Sequence, residues 1–316
     1  MEVKRSPEEI KRVKALGFLV NKGTDNFNAR IITINGKITA EQQKKVAEAA
    51  EKFGNGTITF TSRLTIEVPA IPFDKIDEFR AFIAEAGLET GGTGSKVRPV
   101  VSCKGTTCTF GLVDTFGVSE ELHHKFYEGY RDVKTPHKFK IAIGGCPNNC
   151  VKPDLNDLGI IGQLKPMVDI DECMGCRVCQ PANVCPMHAI SVKDDVMHID
   201  ETLCNNCGLC VQKCPFDVIP EGERGYKVAI GGRWGKIGQR GIPLTRMIRS
   251  DEELMDIVEK MILLYREQGI TGERLAQTVD RIGFEKVEEQ LFDNALLDRK
   301  QEIIDAELHM VGGATC

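Results

Sequence analysis

Residues 145–160 read GCPNNCVKPDLNDLGI and carry the strongest signal for the fold. Two cysteines in this segment, Cys146 and Cys150, are separated by three residues, and an earlier pair, Cys103 and Cys108, is separated by four. The chain has 13 cysteines in 316 residues. Nothing in it indicates the oxidising compartment that a disulfide scaffold needs. The paired spacing therefore favours ligands of a metal or an iron–sulfur cluster.

A second cysteine-rich stretch has the spacing of bacterial ferredoxins. Three thiolates two residues apart bind three irons of one cubane, and a distant fourth cysteine followed by proline binds the other cluster. The spacing predicts one [4Fe–4S] cluster on Cys173, Cys176, Cys179 and Cys214, and a second on Cys204, Cys207, Cys210 and Cys185. Zinc is the alternative, but zinc sites normally use two cysteines in each arm rather than three.

The charge of the chain is concentrated in this stretch. Residues 169–217 hold eight acidic and three basic residues, a formal charge of −5 that equals the net charge of the whole chain. An acidic module argues against binding to nucleic acid, which requires a basic surface. No apolar run approaches the roughly 18 residues of a membrane helix. The N-terminus shows no secretory signal, so we expect a cytoplasmic protein.

The pattern of apolar residues predicts alternating strands and helices, which is typical of an α+β fold. Capping boxes at Ser6 and Thr39 each open a helix, and the second helix runs to Phe53. Strict alternation over residues 57–68 predicts one long strand with Arg63 on its polar face. Further on we expect a helix over 119–131 and a strand over 138–143. We also expect a helix from the Ser250 cap to Gln268, then two helices separated at Gly283.

The segment 145–160 resembles the sirohaem-binding signature of the sulfite and nitrite reductases. The resemblance implies that Cys103, Cys108, Cys146 and Cys150 hold a third [4Fe–4S] cluster. It further implies that the sulfur of Cys150 bridges this cluster to the sirohaem iron. A third independent cluster without haem is the alternative. Among known relatives the chain looks most like the dissimilatory type with an inserted ferredoxin domain, such as the catalytic subunit of the bacterial anaerobic sulfite reductases.

The same resemblance implies a domain organisation. Residues 1–92 are expected to form a ferredoxin-like half-domain. Residues 93–165 and 221–316 are expected to form an α+β domain that binds sirohaem and the [4Fe–4S] cluster and ends in a helical tail. Residues 166–220 are expected to be an inserted 2[4Fe–4S] ferredoxin module. Larger relatives carry two such halves in one chain, so pairing in a homo- or hetero-oligomer is implied.

Four basic residues match positions that contact the bound anion in this family. They are Arg63, Arg98, Lys138 and Lys140. A sulfite or nitrite site needs such cations to bind the anion and to donate protons as its bonds to oxygen break. A solvated surface charge explains any one of them better, but all four occur in the expected order, and this favours the anion site.

Other residues are candidates for contact with sirohaem or for proton transfer. The residues expected to contact sirohaem include Thr61, Asn148 and Asn149, together with Arg233, Lys236 and Arg240 in a glycine-rich stretch that also fits a plain surface loop. We interpret His123 and His124 as a solvated helix face and His137 as a candidate proton relay. Cys316 remains as a free terminal thiol.

The implied activity is the six-electron reduction of sulfite to sulfide, with electrons entering through the ferredoxin module. The sequence shows no glycine-rich nucleotide-binding motif after a strand, so a ferredoxin or flavoprotein subunit is expected to supply the electrons. Reduction of nitrite to ammonia at the same site is one alternative. A non-catalytic iron–sulfur electron carrier is the other.

Overall fold

The N-terminal part of the chain is a four-stranded antiparallel sheet with helices packed against it. The computed structural model describes residues 5–310. The elements of this part are α1 (Pro7–Ala15), β1 (Phe18–Val20), β2 (Phe27–Ile31), α2 (Ala40–Phe53), β3 (Thr59–Phe60), β4 (Ile66–Ile71) and α3 (Ile76–Ala84). The strand order is β1-β2-β4-β3. The sheet and helices share a core of buried apolar side chains that includes Phe18, Val68 and Phe79.

Both predicted capping boxes are confirmed. The Ser6 hydroxyl accepts a hydrogen bond from the Glu9 amide, and the Glu9 carboxylate accepts one from the Ser6 amide. Thr39 and Gln42 make the same pair of bonds at the start of α2. Each box pairs two amides that the first turn of a helix leaves without partners, so the sequence placed these helix starts correctly.

The prediction of one long strand over residues 57–68 is wrong. The segment is a hairpin in which β3 pairs with β4, and the Phe60 side chain is 74% exposed. The chain turns between Thr61 and Thr65, where Leu64 adopts a left-handed conformation with φ of 62°. Alternation continues through both arms of a tight hairpin, and the turn contains no glycine, proline or asparagine to mark it. Arg63 therefore lies at a turn and not on a strand face.

The second part of the chain is built on a five-stranded mixed sheet of order β11-β10-β7-β6-β5. Its elements up to the last strand are β5 (Val101–Ser102), α4 (Thr115–Leu122), β6 (Ile141–Gly144), β7 (Leu158–Met167), α5 (Gln180–Val184), β8 (Ile190–Lys193), β9 (Val196–Ile199), β10 (Glu221–Ile230) and β11 (Ile242–Pro243). β5, β6 and β7 are parallel neighbours, and β10 is antiparallel to β7. α5, β8 and β9 lie outside this sheet.

Two predicted elements of this part have different bounds in the structure. The helix expected over 119–131 begins at Thr115, where the Asp114 carboxylate caps it, and changes to a π-helix over His123–Glu128. The strand expected over 138–143 begins only at Ile141. Lys138 and Lys140 precede it, in a segment where Phe139 makes a single bridge to Val97.

The cysteine-rich stretch leaves the sheet at the end of a long hairpin. β7 and β10 pair over ten residues, with Met167 opposite Glu221. Paired residues in antiparallel strands lie about 5 Å apart, so residues 168–220 leave and re-enter the sheet at neighbouring points. These residues have a small core of their own, which includes Ile190, Met197 and Ile219. A folded unit can occupy this place without disturbing the strands.

The described end of the chain is helical. Its helices are α6 (Asp251–Gln268), α7 (Leu275–Ile282), α8 (Phe284–Phe292), α9 (Ala295–Asp298) and α10 (Lys300–Asp305). The Ser250 cap and the end of α6 at Gln268 are as predicted, but more helices follow α6 than the two expected. Most side chains of α6 are buried against the mixed sheet and the helices that follow. Within residues 5–310, every helix is too short or too polar to cross a membrane.

One arginine joins these helices to the rest of the domain. The Arg266 guanidinium, on α6, donates to the carbonyl oxygens of Ile303, Ile304 and Ala306 around α10, and to the carbonyl of Lys134. The side chain is almost fully buried, with 9% of the residue exposed. It is therefore a buried donor shared by four carbonyl acceptors.

Arg266→Met should lower the free energy of unfolding by at least about 3 kcal/mol, because several buried carbonyls lose a charged donor at once. Urea denaturation followed by far-UV circular dichroism measures the change. Arg299→Met is the control: this exposed arginine makes only surface ion pairs, and its loss should cost less than about 1 kcal/mol. Equal effects of the two substitutions would contradict the structural role of Arg266.

Candidate cofactor and anion site

The two cysteine pairs outside the inserted stretch meet at one edge of the mixed sheet. β5 and β6 are parallel, with Ser102 opposite Ile143, so their carboxyl ends point to the same edge. Cys103 follows the first strand directly and Cys146 follows the second. The Gly145 amide lies 3.1 Å from the Cys103 sulfur and donates to it. Burial raises the pKa of the Cys146 thiol, and the charges of Cys103, Cys150 and Cys108 raise it further.

These four cysteines fit an iron–sulfur cluster. All are free and none is fully buried. Thiolates that raise one another's pKa lose that mutual repulsion when iron binds them, and a backbone amide that donates to sulfur is a recurrent feature of cluster sites. Within residues 5–310, no three His, Cys, Asp or Glu side chains lie close enough to hold one metal ion. The ligands of a cubane bind four different irons, so they are spaced by the size of the cluster.

Arg63 reaches the same region from the hairpin turn between β3 and β4. Its Nη1 donates to the Asn156 side-chain oxygen at 2.8 Å, and its Nη2 donates to the Pro99 carbonyl at 2.9 Å. The Asn156 amide in turn donates to the carbonyl of Lys152, which is two residues after Cys150. Burial and the nearby charge of Arg98 lower the pKa of Arg63 to about 10.

The four predicted cations lie near one another. Burial first, and then the charges of neighbouring cations, lower the pKa of Arg98 to about 10 and that of Lys140 to about 8. The pKa of Lys138 is also lowered by burial, with Arg274, Arg98 and Arg63 contributing. Because neighbouring cations contribute to the lowered pKa of all four side chains, the group forms a concentrated positive site for an anion.

Sequence reasoning missed three charged residues of this group. The Asp157 carboxylate is fully buried and accepts both 2.8 Å bonds from Nη2 of Arg274, as well as a 3.0 Å bond from the Lys140 amide. Arg30, held by Glu67, contributes to the lowered pKa of Arg98 and Arg63. Asp157 lies in the motif 145–160, so the sequence offered a reason to include it in the site. No sequence motif points to Arg274, at the start of α7, because it lies 117 residues from Asp157 in the chain.

Several polar atoms around this group are buried without a hydrogen-bond partner. They are Nε of Arg98, Nε of Arg274, Nε of Arg233 and Oδ1 of Asn149. Buried polar atoms are normally paired, so unpaired ones mark places where a further polar group fits. A cofactor that carries carboxylates supplies acceptors for the three arginine donors.

Some of the remaining candidates for sirohaem contact already have hydrogen-bond partners inside the protein, whereas others are exposed or have a free donor. The Asn149 amide donates to the Asp154 carboxylate at 3.1 Å, and Arg240 is paired with the same carboxylate. Thr61 is bonded within its own hairpin, to the hydroxyl of Thr65. Asn148 and Lys236 are exposed. Arg240 therefore already has a partner inside the protein, whereas the Arg233 side chain has a free donor.

The histidine interpretations need one correction. His123 is not solvated: only 2% of it is exposed, and burial lowers its pKa to about 4. His124 is exposed and pairs with Glu128. The Lys138 amide donates to His137 Nδ1, and burial with the charge of Lys138 lowers the pKa of His137 to about 4. His137 as a proton relay stays a prediction. Cys316 lies outside the described residues.

The cysteines of the inserted stretch also assemble. Cys185, Cys204, Cys207 and Cys210 line one small pocket. Burial raises the pKa of Cys210 to about 11, and the charges of Cys204, Cys207 and Cys185 raise it too. The distant Cys185 is thus grouped with the later triplet, as the crossed spacing requires. Cys173, Cys179 and Cys214 pack against the core of the stretch.

Comparison with known proteins identifies the class. Residues 93–298 match the nitrite and sulphite reductase 4Fe-4S domain, and residues 20–86 match the nitrite/sulfite reductase ferredoxin-like half domain. The chain belongs to this nitrite and sulphite reductase family.

Individual relatives share parts of the chain. It is 33% identical over 254 residues to the coenzyme F420-dependent sulfite reductase of Methanocaldococcus jannaschii, a match that covers 79% of this chain and 40% of the relative. It is 34% identical over 158 residues to one of the subunits of the anaerobic sulfite reductase of Salmonella typhimurium, covering 45% of this chain and 44% of that one. Each of these matches thus covers less than half the length of the relative.

The fold also resembles solved structures. A crystal structure of dissimilatory sulfite reductase I superposes with a TM-score of 0.68 at 22% identity, over 84% of this chain and 68% of that one. The structure of the Mycobacterium tuberculosis NirA protein superposes with a TM-score of 0.63 at 15% identity, over 96% of this chain and 48% of that one. These two matches support the arrangement of the α+β parts.

Sulfate should bind the cofactor-free protein less tightly as the pH rises through about 8, because Lys140 then loses its charge while the arginines keep theirs. We expect a loss of roughly tenfold in affinity, the effect of one charge-assisted contact. Calorimetric titration at about pH 7 and about pH 9 measures it. Lys140→Arg, which stays charged, should remove the pH dependence. The same dependence in both proteins would show that another group titrates.

Proposed function

We propose that this protein is a sirohaem-dependent reductase that converts sulfite to sulfide by a six-electron reduction. The observation that carries the proposal is the direct link between the cation group and the cysteine set. Arg63 bonds to Asn156, and Asn156 bonds back to the loop that follows Cys150. An anion held by these cations is therefore held beside the cysteine to which the haem iron would be joined.

Sirohaem and its cluster supply the redox chemistry and the iron that binds sulfur when they are bound. In this proposal Cys103, Cys108, Cys146 and Cys150 hold the cluster, and Cys150 is the bridge to sirohaem. The unpaired donors of Arg98, Arg233 and Arg274 support binding of a group rich in carboxylates. The proposed binding region for sirohaem also includes Thr61, Asn148, Asn149, Lys236 and Arg240.

The basic side chains of the chain bind and orient the anion and donate protons to it. Arg63 and Arg98 are largely buried and remain charged, so they orient the oxygens of sulfite and exclude water from them. The pKa of Lys140, about 8, lies near neutral pH, which suits a side chain that donates a proton and is charged again. The negative charge of Asp157 offsets the mutual repulsion of these cations.

We assign the domain bounds 1–92, 93–165 with 221–316, and 166–220 to the half-domain, the sirohaem domain and the ferredoxin module. The inserted stretch is proposed to hold two further [4Fe–4S] clusters and to receive electrons from a ferredoxin or flavoprotein subunit. Its acidic character suits a basic donor surface. Association with a second copy or with a different partner chain, and a cytoplasmic location, complete the proposal.

Nitrite reduction is the second candidate because the cation group accepts either anion. Steady-state kcat/KM values on both anions, with reduced methyl viologen as electron donor, decide between them. A non-catalytic electron carrier would leave the buried cation group without a role. It would also show iron–sulfur absorption without porphyrin bands.

Cys150→Ser should remove the porphyrin absorption bands and the sulfite reductase activity, because the bridge between cluster and sirohaem is lost. Visible spectra and iron quantification of anaerobically purified protein measure this. Cys316→Ser is the matched control and should leave both unchanged. Porphyrin bands of normal intensity in the Cys150 variant would refute the bridging role.

Lys140→Ala should keep the cofactors and lower kcat/KM for sulfite by about 10²–10³, the loss expected when one charged donor is removed from a site that stabilises developing negative charge. Lys134→Ala is the control, since this lysine is exposed and lies outside the cation group. An unchanged kcat/KM would contradict the role of Lys140, and loss of the porphyrin bands would instead assign it to cofactor binding.

A further inference from the structure

Strand β7 contacts the loops that carry two different sets of cysteines. At position 162, a Cβ would lie 2.5 Å from the carbonyl oxygen of Gly145, the residue whose amide bonds to the Cys103 sulfur. At position 164, the Leu164 amide donates to the Asn206 carbonyl at 2.8 Å, and Leu164 makes a parallel bridge with Cys207. One short piece of strand thus touches the loops of both sets.

The geometry of a strand makes these two contacts neighbours. Residues two positions apart point to the same face and lie about 7 Å from each other. A Cβ at position 162 meets Gly145 and the Leu164 side chain meets Gly208, so the loop at Gly145 and the loop 204–208 lie next to each other along the same face of β7. The set Cys185, Cys204, Cys207 and Cys210 is the one next to the main sheet. Cys173, in the other set of the module, contacts the β8–β9 hairpin instead, through a 3.3 Å bond from the Met197 amide.

The Leu164 side chain occupies a slot formed by two glycines. A Cβ at Gly208 would lie 2.4 Å from Leu164 Cδ2, and a Cβ at Gly222 would lie 2.8 Å from Leu164 Cδ1. Gly208 follows Cys207 directly, and Gly222 lies on β10. The leucine is therefore held between the cysteine loop on one side and the neighbouring strand on the other. A Cβ at either glycine would meet the Leu164 side chain at less than 3 Å, so the side chain or the loop would have to move.

We infer that Leu164 is a positioning residue that fixes the separation between the Cys204–Cys210 loop and the Cys103–Cys146 site. The spacing of two redox centres sets how fast electrons pass between them. A residue that fixes this spacing therefore affects the rate of electron transfer in a reductase. The functional consequence rests on the proposed clusters. The positioning role of Leu164 rests only on its contacts with Gly208 and Gly222.

Leu164→Ala tests the inference, with Met167→Ala as the matched control because this apolar side chain, also on β7, is 49% exposed. Two readouts are used in the holoprotein: hydrogen exchange of the backbone amide at position 164, and the magnetic dipolar coupling between reduced clusters by electron paramagnetic resonance. We expect exchange roughly tenfold faster or more, together with weaker coupling and unchanged iron content. The control should match the native protein. Native exchange and coupling in Leu164→Ala would overturn the inference.

A second pair of variants guards against a general loss of folding. Gly208→Ala should displace the loop because its new methyl group meets the Leu164 side chain, and Gly208→Ala combined with Leu164→Ala should recover much of the native coupling. The left-handed φ of +70° at position 208 costs the same in both proteins, so the difference reports the contact alone. If the double variant did not recover the native coupling, the positioning role of Leu164 would be contradicted.

The two proposals fail in different ways. Protein that holds no clusters after anaerobic reconstitution contradicts the proposed function, and the exchange experiment still decides whether Leu164 holds the loops together. Protein with all its clusters, but with native coupling and exchange in Leu164→Ala, keeps the function and overturns the positioning role.

Discussion

The buried carboxylate of Asp157 is the constraint on which the anion site depends. Several cations gathered in a low-dielectric interior lose solvation and repel one another; burial first, and then this repulsion, lower the pKa values of Arg63, Arg98 and Lys140. Asp157 offsets it from a position that no solvent reaches. Burial raises its own pKa, while Arg274 and the Lys140 amide act in the opposite direction. Removing one member of such a buried pair leaves an uncompensated charge, which is why the pair is held so tightly.

The same ion pair ties three parts of the chain together. Asp157 precedes β7, Lys140 precedes β6, and Arg274 opens α7. The helices at the described end of the chain therefore contribute directly to the charge of the site. Arg63 adds a fourth connection, because it crosses from the N-terminal sheet to Asn156. A site assembled in this way exists only when both sheets and the C-terminal helices are in place.

β7 gives the molecule its second organising feature. One end of the strand lies beside Asp157, its middle packs on the loop before Cys146, and its far end carries the inserted stretch. Because it pairs along its whole length with β10, it is a rigid support between the cation group and the inserted cysteines. A flexible linker would not hold two cysteine sets at a constant distance.

Local patterns were sufficient for some elements and misleading for others. The capping boxes at Ser6 and Thr39 were found because two residues three positions apart satisfy each other's backbone, a purely local interaction. The hairpin between β3 and β4 was missed because apolar and polar residues alternate with the same period in one long strand as in two short ones. The burial of His123 was missed because a histidine was interpreted as a solvated residue, although it continues the i, i+4 spacing of the buried Thr115 and Ser119.

The sequence by itself determined the spacing that groups twelve cysteines into three predicted sets, and it pointed to four of the cations, because ligand spacing and short motifs are written along the chain. Only the tertiary structure decided that Arg63 sits at a turn, that Arg30 and Arg274 join the cations around the Asp157 carboxylate, and that Leu164 lies between the Cys207 loop and strand β10. Those facts depend on residues far apart in the chain that meet when strands pair and helices pack. A contact of that kind has no local signature in a sequence.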